Sequence, residues 1–248
     1  MAARGKTASD NPSPRPSPRP SSQARGPRLV TVSSPKGGPG KTTLTTILAA
    51  EAAGAGLKVA ILDLDAQRAA SDWLAARADH PACPPPIAAV EGAMEDVGAA
   101  LEEVAAAPYD LVVADTRPGV EINPDQVALL LRASDFIVVP CETGPRATNP
   151  TLDWVDGLEE MGLGGKYAVV LNKAPAKLTH TMQTRLAINE AARVCPFELP
   201  MLAVFKDAEA LGLSVTEIRG SACADAARGV YSYVAREIGL GRKARRAR

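Results

Sequence analysis

The chain has 248 residues, with 28 Lys/Arg against 28 Asp/Glu and 46% apolar residues. That composition fits one soluble domain, and no apolar run approaches the roughly 20 residues needed to cross a bilayer. Charge is unevenly spread: residues 1–28 carry +5, residues 241–248 carry another +5, and the segment between carries −10. A polyanionic partner would therefore meet the ends or a local basic patch rather than the average surface.

No secretory apolar segment follows Met1. Cys83, Cys141, Cys195 and Cys223 are irregularly spaced, with no CxxC pair and no zinc-like grouping with His80 or His180. They read as reduced, buried small hydrophobes of a cytoplasmic protein. Residues 1–28 repeat Ser-Pro-Arg-Pro and offer nothing apolar to bury, so they are expected to form a disordered, extended leader. Residues 29–240 are expected to be the folded domain, and 241–248, "GRKARRAR", a basic tail. Each charged end also reads as a merely solvated segment.

"RLVTVSS" predicts a strand and "KTTLTTILAAEAAGAG" a helix ending at Gly54 or Gly56. "KVAILDLD" is a strand and "SDWLAARAD" a helix; "IAAV" is a short strand before a helix over about 94–107. "YDLVVAD" and "DFIVVPCE" are strands flanking a helix near 124–133. A helix near 149–161 leads to the strand "YAVVLNK"; a helix over about 179–194 precedes a strand or extended piece near "ELPMLAV". The last helix runs over about 222–238. Strands apolar throughout and separated by helices imply an α/β fold, a doubly wound and mostly parallel sheet with helices on both faces. Ligands of such sheets sit at the carboxyl ends of the strands.

"GGPGKTT", Gly37–Thr43, falls between the first strand and the first helix, where backbone amides and the helix N-terminus face an anion. There Gly37, Gly38 and Gly40 let the backbone approach phosphate, Lys41 reaches the outer phosphates, and Thr42 offers a hydroxyl to Mg2+. Asp115 ends the strand "LVVAD", beside the loop, where a metal-bound water needs an acceptor. Asp63 and Asp65 end the neighbouring strand in "ILDLDAQ". Each acid alone also reads as a helix cap or a solvated strand end.

"KGGPGKTT", "DLDAQ" and "DTRPG", in that order, resemble the ParA/MinD group of deviant Walker ATPases, most closely the short ParA proteins without a preceding DNA-binding domain. The likeness runs from about Leu29 to Ile238, including "EALGLSVTEI" ahead of the last helix. It implies a P-loop fold, ATP and Mg2+ as cofactors, and a weak ATPase whose ATP-bound form is a homodimer. By this resemblance Lys36 crosses the dimer to the partner's nucleotide, and Lys41 serves its own. Asp65 positions the attacking water, Asp115 belongs to the Walker B site, and Asp63 and Gln67 complete the Walker A′ stretch. Thr42, Asp63 and Asp115 are then the Mg2+ set, partly through water. Thr43 closes the phosphate loop, and Asn172 stands where the family contacts adenine. "NKAP" has Pro175 where guanine readers carry a carboxylate, which favours ATP.

The resemblance further implies non-specific DNA binding in the ATP state, association with the nucleoid, and a ParB-like or other small activating partner. The activity would position a plasmid, a chromosome region or a protein cargo. Candidate DNA contacts are Arg185 and Arg193, expected on one helix, with Lys206, Arg219 and Arg228; each also reads as a solvated surface charge. Two alternatives are a MinD-like membrane-surface ATPase and an ATP-locked scaffold with little hydrolysis. The first is disfavoured because "GVYSYVAREIGLGRKARRAR" lacks a bulky apolar stripe. The second is kept open by the prolines. Pro35 stands at a frequent glycine position, Pro39 removes an N–H that would point at phosphate, and Arg117 in "DTRPG" replaces a common proline.

Overall fold

A computed structural model of the chain describes residues 26–117, 123–175 and 178–241. Most of the leader and the basic tail from 242 lie outside the described residues, as do Pro118 and Gly119 of "DTRPG". Six strands form the sheet: β1 Arg28–Val32, β2 Val59–Leu64, β3 Ala88–Glu91, β4 Leu111–Thr116, β5 Phe136–Glu142 and β6 Tyr167–Asn172. All paired neighbours are parallel, in the order β3-β2-β4-β1-β5-β6. β1 thus lies between β4 and β5, and the chain winds outward from it in both directions. This is the P-loop NTPase arrangement expected from the sequence, with its ligand crevice at the carboxyl ends of the central strands.

Alternation along each strand divides the core. Val30, Val32, Leu111, Val113, Phe136 and Val138 pack with helices α1 (Lys41–Gly54) and α2 (Ala69–Ala78) on one face. Leu29, Val112, Ala114, Ile137 and Val139 pack on the other, with α3 (Val97–Ala106), α4 (Pro124–Ala133) and α5 (Pro145–Glu160). Because side chains alternate with period two, Asp63 and Asp115 continue the α1-facing rows of β2 and β4. They also sit side by side, paired in register across the two strands. Period and register together bring both acids to the start of α1.

Helices differ from expectation at three places. α5 begins at Pro145, four residues early, because Gly144 at φ 106° turns the chain and proline is pre-organised for a first helical position. α6 spans Leu178–Asn189 and ends before Arg193. The piece at "ELPMLAV" makes only single bridges, Val169 with Val194 and Ala174 with Pro200, and no ladder. A short α7, Val204–Ala210, follows it before α8, Ala224–Glu237. Buried Arg77 on α2 ties the segment after α7 down, donating to Gly212 O and Pro85 O and pairing with Glu217 at 2.7 Å.

Candidate nucleotide site

The loop between β1 and α1 is built around Gly40, whose φ of 92° only glycine adopts cheaply and where a Cβ would collide with the Asn172 amide. Gly40 O accepts from Leu44 N and opens α1. The first amides of a helix have no intrahelical partner, and among the described residues those of Gly40, Lys41, Thr42 and Thr43 meet no protein acceptor. They form an anion cradle beside exposed Gly37 and Gly38.

Lys41 is buried at 7% exposure, its Nζ no closer than 3.5 Å to Ser34 Oγ and 3.4 Å to Lys36 O. Burial lowers its pKa, while Asp115 and Asp65 act to raise it. A buried ammonium with two long contacts lacks strong acceptors, and a polyphosphate would supply them. Lys36 is exposed and points elsewhere, with Nζ 3.5 Å from Arg146 O. That carbonyl is the one freed when Pro150, inside α5, cannot donate to the residue four positions back. Lys36, Arg146 and Pro150 share a cavity of about 180 Å3 with Gly37, Pro39 and Glu142.

Asp115 is 1% exposed and accepts from Thr42 Oγ1 at 2.7 Å and Thr45 Oγ1 at 3.3 Å. Burial pushes its carboxyl up to about 7, against the two hydroxyls and Lys41, which pull down, and with Asp63, which pushes the same way. The other two acids differ from it. Asp63 has both oxygens engaged: Oδ2 takes Ser71 N at 2.9 Å and Ser71 Oγ at 2.7 Å, and Oδ1 takes Asp65 N at 3.1 Å. It holds the first turn of α2 in place. Asp65 lies just past β2, half-buried, accepting from the N–H of exposed Gln67. It lines a cavity of about 560 Å3 with Glu91, Glu95 and Arg117.

Asn172 is buried at the end of β6, donates to Pro39 O at 2.7 Å, and accepts from Lys173 N. Lys173, Glu142, Ser34 and Thr45 lie at the site but are not among the residues that the sequence motifs mark. Thr45 was recoverable, because it follows Thr42 by one helical turn and so shares its face. Ser34 lies in the loop itself, just after β1, whereas Glu142 and Lys173 are brought to it by β5 and β6, which no local pattern reports.

The proposed DNA contacts separate into two groups. Arg193 is not on one helix with Arg185, because α6 stops at Asn189. Both arginines have protein partners, although Arg193 is 39% exposed. Arg185 donates to Cys195 O and pairs with Glu198, while Arg193 donates to Tyr167 O, pairs with Glu237 and lies over the Phe136 ring. Arg228 donates to Thr216 O and pairs with Asp225. Lys206 and Arg219 are exposed.

Residues 27–236 match the family model of the VirC1 protein. The chain belongs to the VirC1 family. This VirC1-family chain has the P-loop NTPase fold of the MinD and ParA proteins. It is similar to the MinD septum-site protein of Pyrococcus horikoshii solved with Mg-ADP, at TM-score 0.67 and 16% identity, over 86% of this chain and 98% of that one. It is also similar to a Cyanothece McdA variant solved with ATP, at 0.64 and 18%, over 87% and 98%. A plasmid partition protein of Borrelia burgdorferi bound to AMPPNP gives 0.64 and 16%, over 87% and 99%. No curated protein matches the VirC1-family chain in sequence. Among its described residues no helix is long and apolar enough to cross a membrane.

Proposed function

We propose that this VirC1-family chain binds ATP with Mg2+ at the Gly37–Thr43 loop and hydrolyses it slowly as a nucleotide-dependent homodimer. The residues present fit those cofactors. The cradle, the under-partnered ammonium of Lys41 and the oxygen donors of Thr42, Asp63 and Asp115, partly through water, suit a hard cation on a triphosphate. Bound Mg2+ would neutralise charge on the outer phosphates. Asp115 orients the Thr42 hydroxyl, Lys41 stabilises charge at the outer phosphates, and Asp65, on the cavity side, is the group that holds the attacking water. Asp63 supports the site by fixing α2 and the backbone of Asp65, with its part in the cation set through water.

The observation that carries this reading is the opposite disposition of two lysines five residues apart. Lys41 is buried inside its own loop, whereas Lys36 is exposed and rests on one long contact at the loop's outer edge. A cation presented outward next to a phosphate site is placed to serve a second molecule's phosphates, or its own on closure. Asn172, tied to the loop beside the base side of the site, suits an adenine neighbour.

The ATP dimer binds DNA without sequence preference and positions a plasmid, chromosome region or protein cargo, with a ParB-like or other small partner stimulating hydrolysis. The plasmid partition protein among its structural relatives supports that reading. Exposed Lys206 and Arg219, with the basic tail, are the contacts to test first. Sedimentation velocity with ATP, ADP and no nucleotide decides the dimer: wild type dimerises with ATP alone and Lys36→Ala stays monomeric. Equal association in all three states would sink the reading. Retention on random-sequence DNA across a salt series, stronger with ATP than with ADP, tests the second half.

A further inference from the structure

Pro39 deprives the phosphate loop of one amide, and the structure shows what holds that peptide unit. Lys173 Nζ donates to Gly38 O, the carbonyl of the Gly38–Pro39 unit, and also pairs with Glu142 at 2.7 Å. The next unit, Pro39–Gly40, is held by Asn172 Nδ2 on Pro39 O. In a trans peptide the N–H points opposite to the C=O. Drawing the Pro39 carbonyl toward β6 therefore aims the Gly40 amide into the cradle. The Gly38–Pro39 unit has no N–H to anchor it on an anion, so its orientation rests on the carbonyl end alone. Lys173 itself sits at φ 52°, a left-handed conformation costly for a lysine, which turns its chain back over the loop.

We infer that Lys173 is a positioning residue for phosphate binding, an outside clamp that replaces the anchoring lost at Pro39, with Glu142 fixing its ammonium. The inference rests on the nucleotide reading above and adds a residue to it. Lys173 and Glu142 are both about 40% exposed, so the pair contributes little to folding and its removal leaves the protein folded.

Two measurements test it. In titrations with Mg2+ and a fluorescent ATP analogue, Lys173→Met weakens binding about 10-fold. In a Pro39→Ala background, where the unit regains an N–H for phosphate, the same change costs about 2-fold or less. An equal loss in both backgrounds would mean that Lys173 acts only as a distant positive charge, and no loss in either would remove it from the site; each result overturns the clamp. Hydrogen exchange on the nucleotide-free protein is independent of ATP. Lys173→Met speeds exchange at the Leu44 amide, which donates to Gly40 O at the end of the clamped units, by about 5-fold or more, while β4 amides are unchanged. Unchanged exchange at Leu44 overturns the clamp even where ATP binds. Failure of wild type to bind the analogue, with exchange altered as expected, sinks the nucleotide reading and leaves the clamp on the loop standing.

Discussion

Asp115 and Lys41 face each other across the first turn of α1, each buried and each unfavourable in its charged form. For Asp115 the folded pKa of about 7 lies above the ordinary carboxyl value, so the nucleotide-free protein binds an extra proton between about pH 4 and 7. Its contribution to stability is greatest below pH 4, falls as pH rises to 7, and is flat above. Asp115→Asn removes that dependence. Melts of the nucleotide-free proteins should agree closely near pH 4, and the variant should be more stable by roughly 2–4 kcal/mol at pH 8. Lys41→Met should abolish binding of the ATP analogue, by 100-fold or more, without loss of stability. It removes a buried ammonium whose contacts are 3.4 and 3.5 Å, so urea unfolding should shift by less than about 1 kcal/mol or upward. A large destabilisation would show that those long contacts hold the loop.

At the scale of elements, α5 carries an imperfection that touches the site. Pro150 removes an internal donor, and Thr148 and Thr151 return hydroxyls to Gly144 O at 2.9 Å and Ala147 O at 2.8 Å. Arg146 O is left to Lys36. Pro150→Ala restores the missing helical bond and should raise stability by about 1–3 kcal/mol in urea unfolding. Lys36 then loses its acceptor. α1 has the opposite character: ten of its fourteen residues are buried, so its N-terminus, and with it Lys41 and Thr42, cannot drift relative to β4. Thus the inward lysine stands on a rigid element and the outward one on a loop resting against a weakened helix turn.

At the scale of the whole molecule, the three arginines named as candidate DNA contacts have partners within the protein, while Arg193 and Arg228 stay 39% and 46% exposed. Arg193 joins the segment after α6 to Tyr167 O, Gly165 O and Glu237 of α8 while covering Phe136. Arg193→Ala should therefore lower stability by about 1–3 kcal/mol, as measured by urea unfolding. A Lys206→Ala/Arg219→Ala variant should keep wild-type stability and lose DNA retention in the ATP state. The reverse pattern would move the DNA surface to those three arginines.

The fold class was legible in the sequence because apolar runs such as "VAILDL" and "FIVVPC" are buried on both faces, and only a helix-covered parallel sheet does that. The shape of the loop from Gly37 to Thr43 was legible for a related reason, since the glycines between strand and helix that give it that shape lie within a few residues of chain. Local pattern also determined that Asp63 and Asp115 end neighbouring strands. It did not determine that Asp115 alone is buried against Thr42 and Thr45 while Asp63 is occupied by Ser71, because that depends on how β2 and β4 register and where α2 starts. The same holds for Lys173, brought to the loop by β6 from 135 residues away in sequence. What chemistry needs within a few residues is written in the chain. Which charged groups are desolvated, paired or left facing outward is decided only when distant strands close on one another, because burial and partners are properties of that packing.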